Sequence, residues 1–217
     1  MPIRQESLPQ RKLTEIRYLS GGQNRALTSS VSVLCQTKGL RDSARLRPDW
    51  GYSLTPVIIF EVAQLLRKYP VFNASYKDRA AHYYETVNIG FAIDAEKGLS
   101  IPVIPKADHK TVEEIAGLTL DALRRYIEGN LNTKDIAQGT FTITDLSAEG
   151  VLGIRPLINY CQCAILALGG EFSLPGARAG IYELSLTFDH RLTEGRAAAI
   201  FLRELKERLE TYENANP

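Results

Sequence analysis

The segment that most limits what this chain can fold into is Tyr182-Glu-Leu-Ser-Leu-Thr-Phe-Asp-His-Arg-Leu-Thr-Glu-Gly195 with the stretch behind it. Tyr182, Leu184, Leu186 and Phe188 alternate with polar residues, the period-two pattern of a strand with one buried face. Within a few residues the period changes. Ala198, Phe201, Leu202, Leu205 and Leu209 make one apolar stripe at helical spacing, which predicts a helix from about Glu194 to Tyr212. A strand handed directly to a long amphipathic helix requires a sheet with a helix layer on it. The turn between them displays Asp189-His190-Arg191.

The rest of the chain repeats this grammar. Thr28–Gln36, Thr86–Asp94, Leu99–Pro105, Gly139–Thr144 and Cys161–Leu168 read as strands, with Pro102 and Pro105 placing the third of these at an edge or a bulge. Thr55 as cap and Pro56 in the first turn open a helix that Pro70 stops. Thr111-Val-Glu-Glu114 matches a capping box, and the helix behind it ends at Gly129. Gly39–Ser53 reads as a loop or broken helix, and Met1–Lys12 as a polar arm on the surface or on a neighbouring subunit. Strands and helices alternate imperfectly, so the expectation is one α/β domain with a mixed sheet and helices mainly on one face.

Composition removes several classes of function. With 26 Lys+Arg against 25 Asp+Glu the formal charge is +1, without the basic excess that phosphate backbones or acidic membranes attract. Hydrophobic residues at 44% and charged residues at 24% are globular values. No apolar run approaches the roughly 20 residues that span a bilayer, and the N-terminus lacks an apolar leader core. Neither a nucleic acid nor a membrane is an expected partner. Three cysteines, an odd number without a leader, argue for reduced thiols and a cytoplasmic setting. Cys161-Gln-Cys163 invites a metal or redox reading, but no second pair or nearby histidine completes a ligand set. Two alternate positions of one strand face are the simpler account.

His190 is the candidate for chemistry. A strand-to-helix turn holds it rigidly, and an imidazole titrating near neutrality can take a thiol or alcohol proton and return it to a leaving group. A lone histidine is nevertheless more often structural than catalytic. His82 lies in a polar Arg/Tyr-rich stretch and His109 in the loop before Thr111. The three share no metal-ligand spacing, and no metal is expected.

Phe188-Asp-His-Arg-Leu-Thr-Glu-Gly195 and its helix resemble the DHRxxDG signature of 2-oxo acid dehydrogenase acyltransferases, the dihydrolipoamide acyltransferase cores. Three further segments agree in the same order. Val87–Asp94 with Lys97–Ile104 resembles the family's NIGIAVDTPKGLVVPVI hairpin. Gly139–Leu146 resembles GTFTISNLG, and Pro156–Asn159 with Ala164–Gly169 resembles PIIN…AILAVG. Together they span about residues 10–212.

The resemblance implies a chloramphenicol acetyltransferase-like α/β fold, a mixed sheet with helices that is an obligate trimer building block. It divides the chain into an N-terminal arm, 1–12, and an acyltransferase catalytic domain, 13–217, without a lipoyl or peripheral-subunit-binding domain. The chain would then be either a stand-alone enzyme or a core taken from a longer one. The implied reaction is thioester acyl transfer between a dihydrolipoyl thiol, or an acyl-carrier phosphopantetheine, and coenzyme A as substrate. His190 of one subunit would be the general base, facing a channel shared with the next. Thr144, where the family has serine, would donate to the oxyanion, a contact typically worth about 3 kcal/mol. Without the motif, Thr144 is an ordinary β-branched strand residue. Glu194 stands in place of the signature's aspartate and would support the turn. Taken alone it is a carboxylate at a helix N-terminus. Ser20–Ser29 lacks the family's Pro-His pair and a strong helix former beside the channel. Implied partners are copies in a homotrimer or cage, a lipoyl domain or acyl carrier protein, and a decarboxylase. Beside this reading stand a structural core that scaffolds such an assembly without catalysis and, third, acyl transfer to an alcohol.

Overall fold

The computed structural model describes residues 7–23, 26–36, 40, 44, 46–51, 53–95, 98–172 and 180–212. Lys97 of the expected Lys97–Gly98 turn and residues 1–6 of the expected arm lie outside this set. The described residues include, in order, α1 (Gln10–Gln23), β1 (Thr28–Gln36), α2 (Thr55–Lys68), β2 (Ala74–Lys77), β3 (Ala80–Tyr83), β4 (Ile89–Phe91), β5 (Val103–Ile104), α3 (Val112–Glu128), β6 (Phe141–Asp145), β7 (Ala164–Leu168), β8 (Ile181–Asp189) and α4 (Gly195–Glu210). Six strands form one sheet in the order β1-β8-β7-β6-β4-β5, and β2 and β3 form a separate hairpin. The sheet is mixed: β4, β6 and β7 run parallel, whereas β8 is antiparallel to both β7 and β1. β5, with its flanking prolines, lies at the edge, where a missing N–H disturbs no ladder.

Alternation along the strands sorts the sheet into two unlike faces. Phe141, Ile143, Leu166, Leu184, Leu186 and Phe188 join the core. α2 packs against α3 and α4 on that side, and α4 also packs on β1 and β8. Phe201 of α4 fixes this layer, its ring 5.0 Å from Phe72 and 5.9 Å from Tyr69. The opposite face carries Thr142, Thr144, Ala167, Ser185 and Thr187 by the same period of two. The segment 153–163 crosses it, with Arg155 Nη1 donating to Ser185 Oγ at 3.3 Å and Asn159 Nδ2 to Thr142 Oγ1 at 2.9 Å.

The helix punctuation largely follows local chemistry. At α3 both halves of the capping box form, Glu114 N–H to Thr111 Oγ1 at 3.2 Å and Thr111 N–H to Glu114 Oε2 at 2.8 Å. Gly129 closes the helix at φ 78°, a left-handed position that suits a residue without Cβ. At α2 the cap residue is Leu54 rather than Thr55. Ser53 Oγ instead accepts from the Thr55 N–H at 3.1 Å.

Three other expectations require correction. α1 begins at Gln10, within the stretch 1–12 expected as an arm, and Ser20–Gln23 form its last turn despite their weak helix-forming residues. The strand over Thr86–Asp94 pairs regularly only at Ile89–Phe91, with Ile93 adding a single bridge to Ser100. Cys161 and Cys163 do not share a strand face: β7 starts at Ala164, Cys161 is exposed at φ 62°, and Cys163 is buried. Of Gly39–Ser53, a 3-10 turn at Pro48–Trp50 is described and buries Trp50. Among the described residues no helix is long and apolar enough to cross a membrane.

Candidate active site

β8 delivers the Asp189-His190-Arg191 turn, and its backbone is pinned from three directions. The Asp189 N–H donates to Cys163 O at 2.8 Å, the His190 N–H to Leu27 O at 2.7 Å, and the Leu192 N–H to Asp189 O at 3.0 Å. Asp189 is buried, and both its carboxylate oxygens accept from Arg191. That carboxylate holds the Arg191 guanidinium above its ordinary pKa. Between these two anchors the His190 side chain is exposed, with its ring 5.7 Å from that of Phe188. No hydrogen bond occupies its ring nitrogens among the described residues. A rigid mount with a free imidazole suits proton transfer to a molecule from outside the chain.

Glu194, four residues on, is the N-cap residue of α4. Its carbonyl accepts from the Ala197 N–H at 3.1 Å, but its side chain makes no cap hydrogen bond. The carboxylate is exposed and forms no ion pair among the described residues.

Thr144 lies elsewhere. It is half-buried near the carboxyl end of β6, opposite Ala167 of β7, which is opposite Ser185 of β8. His190 is five residues beyond Ser185, about 17 Å along the strand direction and two strand spacings, about 10 Å, across it. One chain therefore does not bring His190 and Thr144 together. Glu194 follows His190 by four residues on the same strand-to-helix turn, and the hydroxyl lies at the far end of the sheet. The other histidines are exposed, His82 on β3 and His109 beside Asp108 at 3.4 Å. Among the described residues no group of three or more His, Cys, Asp or Glu could hold a metal ion.

A cleft of about 740 Å³ runs along β4 and β6 on the face that bears Thr144. Leu19 of α1 and Leu99, Ile101 and Ile136 give it apolar walls. Thr142 stands at its floor, donating to Gln162 Oε1 at 2.8 Å, and Gln162 Nε2 donates to Gly139 O at 3.0 Å. Gly90 is required here, since a Cβ on it would stand 2.7 Å from the Ile101 side chain. Cys161 also lines this cleft, while Cys163 is sealed in the core with its thiol pushed up to about 12 by burial. Sequence reasoning missed the cleft floor, although the threonines at 140, 142 and 144, alternating with Phe141 and Ile143, already marked a polar strand face.

Comparison with known proteins adds independent support. A family model described as 2-oxoacid dehydrogenases acyltransferase (catalytic domain) matches residues 27–216. The chain is 32% identical over 225 residues to the dihydrolipoyllysine-residue acetyltransferase component of the pyruvate dehydrogenase complex of Mycobacterium bovis, a match covering 92% of this chain and 40% of that protein. The chain thus spans about two fifths of that relative's length. Among solved structures, a truncated catalytic core of the 2-oxoacid dehydrogenase multienzyme complex from Thermoplasma acidophilum superposes with a TM-score of 0.86 at 28% identity, covering 96% of this chain and 98% of that one. The dihydrolipoamide acetyltransferase of Azotobacter vinelandii gives 0.90 at 22% identity, with coverage of 98% and 93%. A chloramphenicol acetyltransferase shares the fold at 0.57 and 16% identity, covering 93% and 96%. The α/β architecture implied by the motifs, a mixed sheet of chloramphenicol acetyltransferase type, is the one observed. The chain belongs to the 2-oxoacid dehydrogenase acyltransferase catalytic-domain family.

Proposed function

We propose that this chain moves an acyl group, as a thioester, between a carrier thiol and coenzyme A, at sites formed where two copies of the chain meet. The carrier is a dihydrolipoyl group on a lipoyl domain, or the phosphopantetheine of an acyl carrier protein, and a decarboxylase loads it. His190 takes the proton from the attacking thiol. The thiolate adds to the thioester carbonyl, and the Thr144 hydroxyl of the adjoining copy donates to the resulting oxyanion. Collapse of the tetrahedral intermediate expels the other thiolate, which recovers the proton from the imidazolium. Glu194 supports the turn that presents His190 through its backbone, its carbonyl capping the helix that follows.

One observation carries this reading: a rigidly mounted imidazole with no internal partner among the described residues sits about 20 Å by strand geometry from the hydroxyl that its family motif pairs it with. Distances of that size are closed only by a second copy. Leu152, Leu157 and Tyr160, in or beside the segment crossing the polar sheet face, are exposed and give such a contact apolar surface. A homotrimer, alone or built into a cage, is the assembly that fits. The Azotobacter acetyltransferase has had its mechanism probed at a serine, a histidine and an asparagine four positions after that histidine. Glu194 occupies the same offset from His190. The cleft beside Thr142, with apolar walls and a polar floor, suits the alkyl and amide groups of a lipoyl or pantetheine arm. The three free thiols fit a reducing cytoplasm.

The test is His190→Ala, assayed for acetyl transfer from acetyl-coenzyme A to dihydrolipoamide and to acyl carrier protein. Turnover falls about 100-fold or more while native mass is unchanged. Wild-type turnover by the variant overturns the assignment of the base, and a wild-type chain inert with every donor is a scaffold instead.

A further inference from the structure

The ion pair flanking His190 is covered from outside by a residue to which the reaction assigns no part. Asp189 is 2% exposed, and a buried carboxylate must be fully satisfied by donors. Arg191 supplies them, its N–H to Oδ1 at 3.0 Å, its Nε to Oδ1 and Oδ2 at 2.9 and 3.0 Å, and its Nη2 to Oδ2. The free face of that guanidinium lies over the Tyr76 ring, with Cζ 4.1 Å from the centroid. Tyr76 belongs to β2 and pairs with Ala81 of β3, so the ring comes from the separate hairpin and not from the main sheet. His190 is the residue between the two members of the pair.

We infer that Tyr76 is a positioning residue for His190, acting through the Arg191–Asp189 pair. An uncovered guanidinium exchanges its carboxylate for water. An aromatic face excludes that water and adds cation–π attraction, which keeps the fork closed. With the fork closed, residues 189 and 191 have one arrangement, and the Cα–Cβ bond of His190 has one direction. Proton transfer depends on that direction, because small misplacements of a base are costly in rate. Tyr76 is not among the residues that line the cleft, and a role confined to holding His190 predicts a change in kcat without one in KM. The hairpin thereby becomes part of the catalytic support.

This inference rests on His190 being the base, and the experiment separates the two. In the full chain, Tyr76→Leu lowers kcat about fivefold, the scale of a partly desolvated cation–π contact, with KM for both thiols within about twofold. Tyr76→Phe, which keeps the ring, restores kcat to within about twofold of wild type. Arg191→Lys, which keeps the charge and loses the planar stack, repeats the kcat loss without a KM change. It provides the reading if Tyr76→Leu fails to assemble at the wild-type mass. Wild-type kcat in Tyr76→Leu overturns the inference, as does a loss in Tyr76→Phe equal to that in Tyr76→Leu. His190→Ala is run alongside. Full activity there removes the base assignment itself, whereas an inert His190→Ala with an unaffected Tyr76→Leu removes only the role of Tyr76.

Discussion

Complementation between two inactive variants tests the shared site directly. His190→Ala removes the base and leaves Thr144. Thr144→Val removes the hydroxyl and leaves His190, and losing one oxyanion donor typically costs about 100-fold or more in kcat. The magnitude of recovery follows from geometry. The two positions are separated by two strand spacings and five residues along the β8 direction, about 20 Å, whereas reacting groups must lie within about 3–3.5 Å. If each site takes Thr144 from one copy and His190 from the next, a site is intact when the first copy is His190→Ala and the second Thr144→Val. Random one-to-one assembly in a closed ring makes about a quarter of the sites intact, whatever the number of copies. The assay is acetyl transfer by chains co-expressed with two different tags and purified sequentially through both, against homogeneous variants at equal chain concentration. Recovery to about a quarter of wild type, or more after purification enriches mixed rings, is expected. Mixed assemblies no more active than the better single variant would refute the reasoning, since sites closed within one chain would all carry a lesion.

Glu194→Asp should stabilise the protein by about 0.5–1 kcal/mol in chemical denaturation, because aspartate at an N-cap reaches the N2 or N3 backbone donors that Glu194 leaves without a side-chain partner. Unchanged or lower stability would show that the longer side chain already serves the turn. A second prediction concerns acid. Lys68, Tyr69 and Arg208 hold Glu204 down to about 2 from an ordinary 4.5, so the folded state keeps this carboxylate charged where the unfolded chain protonates it. Its contribution is present above about 4.5 and is lost as pH falls towards about 2. Glu204→Gln should flatten the stability–pH curve across that window and leave its slope above pH 6 unchanged, as followed by urea melts.

The elements legible in the sequence are those whose local pattern and tertiary role agree. β8, α3 and α4 show a clean period, a cap or turn signal and a buried face, and they form where expected. α1 was hidden because it faces no core: Leu13 and Ile16 are exposed, and its stripe is too weak to read as amphipathic. The β2–β3 hairpin turns at Asp78 and Arg79, both with positive φ, a conformation normally announced by Asn-Gly or Asp-Gly. With arginine at the second position the usual signal is missing. Val87–Ile93 alternates beyond its ladder because β6 pairs only with its middle, and no periodicity shows where a neighbouring strand stops. At the site, His190 and Glu194 are marked by the strand-to-helix turn, but Thr144 is marked only by resemblance. Nor could spacing show that His190 and Thr144 lie at opposite ends, since that depends on the sense of β8.

That sense is what ties the proposed chemistry to assembly. Ligands of open α/β sheets gather at the carboxyl ends of the strands, and Thr144 sits at such an end, on β6. His190 also follows a carboxyl end, that of β8, but β8 runs against β7, and β7 runs with β6. One reversal in strand direction sends two residues with the same local placement to opposite edges of the sheet. Had β8 been parallel, hydroxyl and imidazole would lie at the same end of the sheet, about 10 Å apart across two strand spacings. On the proposed mechanism, each copy offers its base at one end of the sheet and its oxyanion donor at the other, a head-to-tail arrangement of the kind that rings are built from. Residues such as Leu152, 67% exposed in the isolated chain, are on that reading under the same functional constraint as His190. Loss of association and loss of the imidazole become the same kinetic lesion, and only the mass of the particle tells them apart.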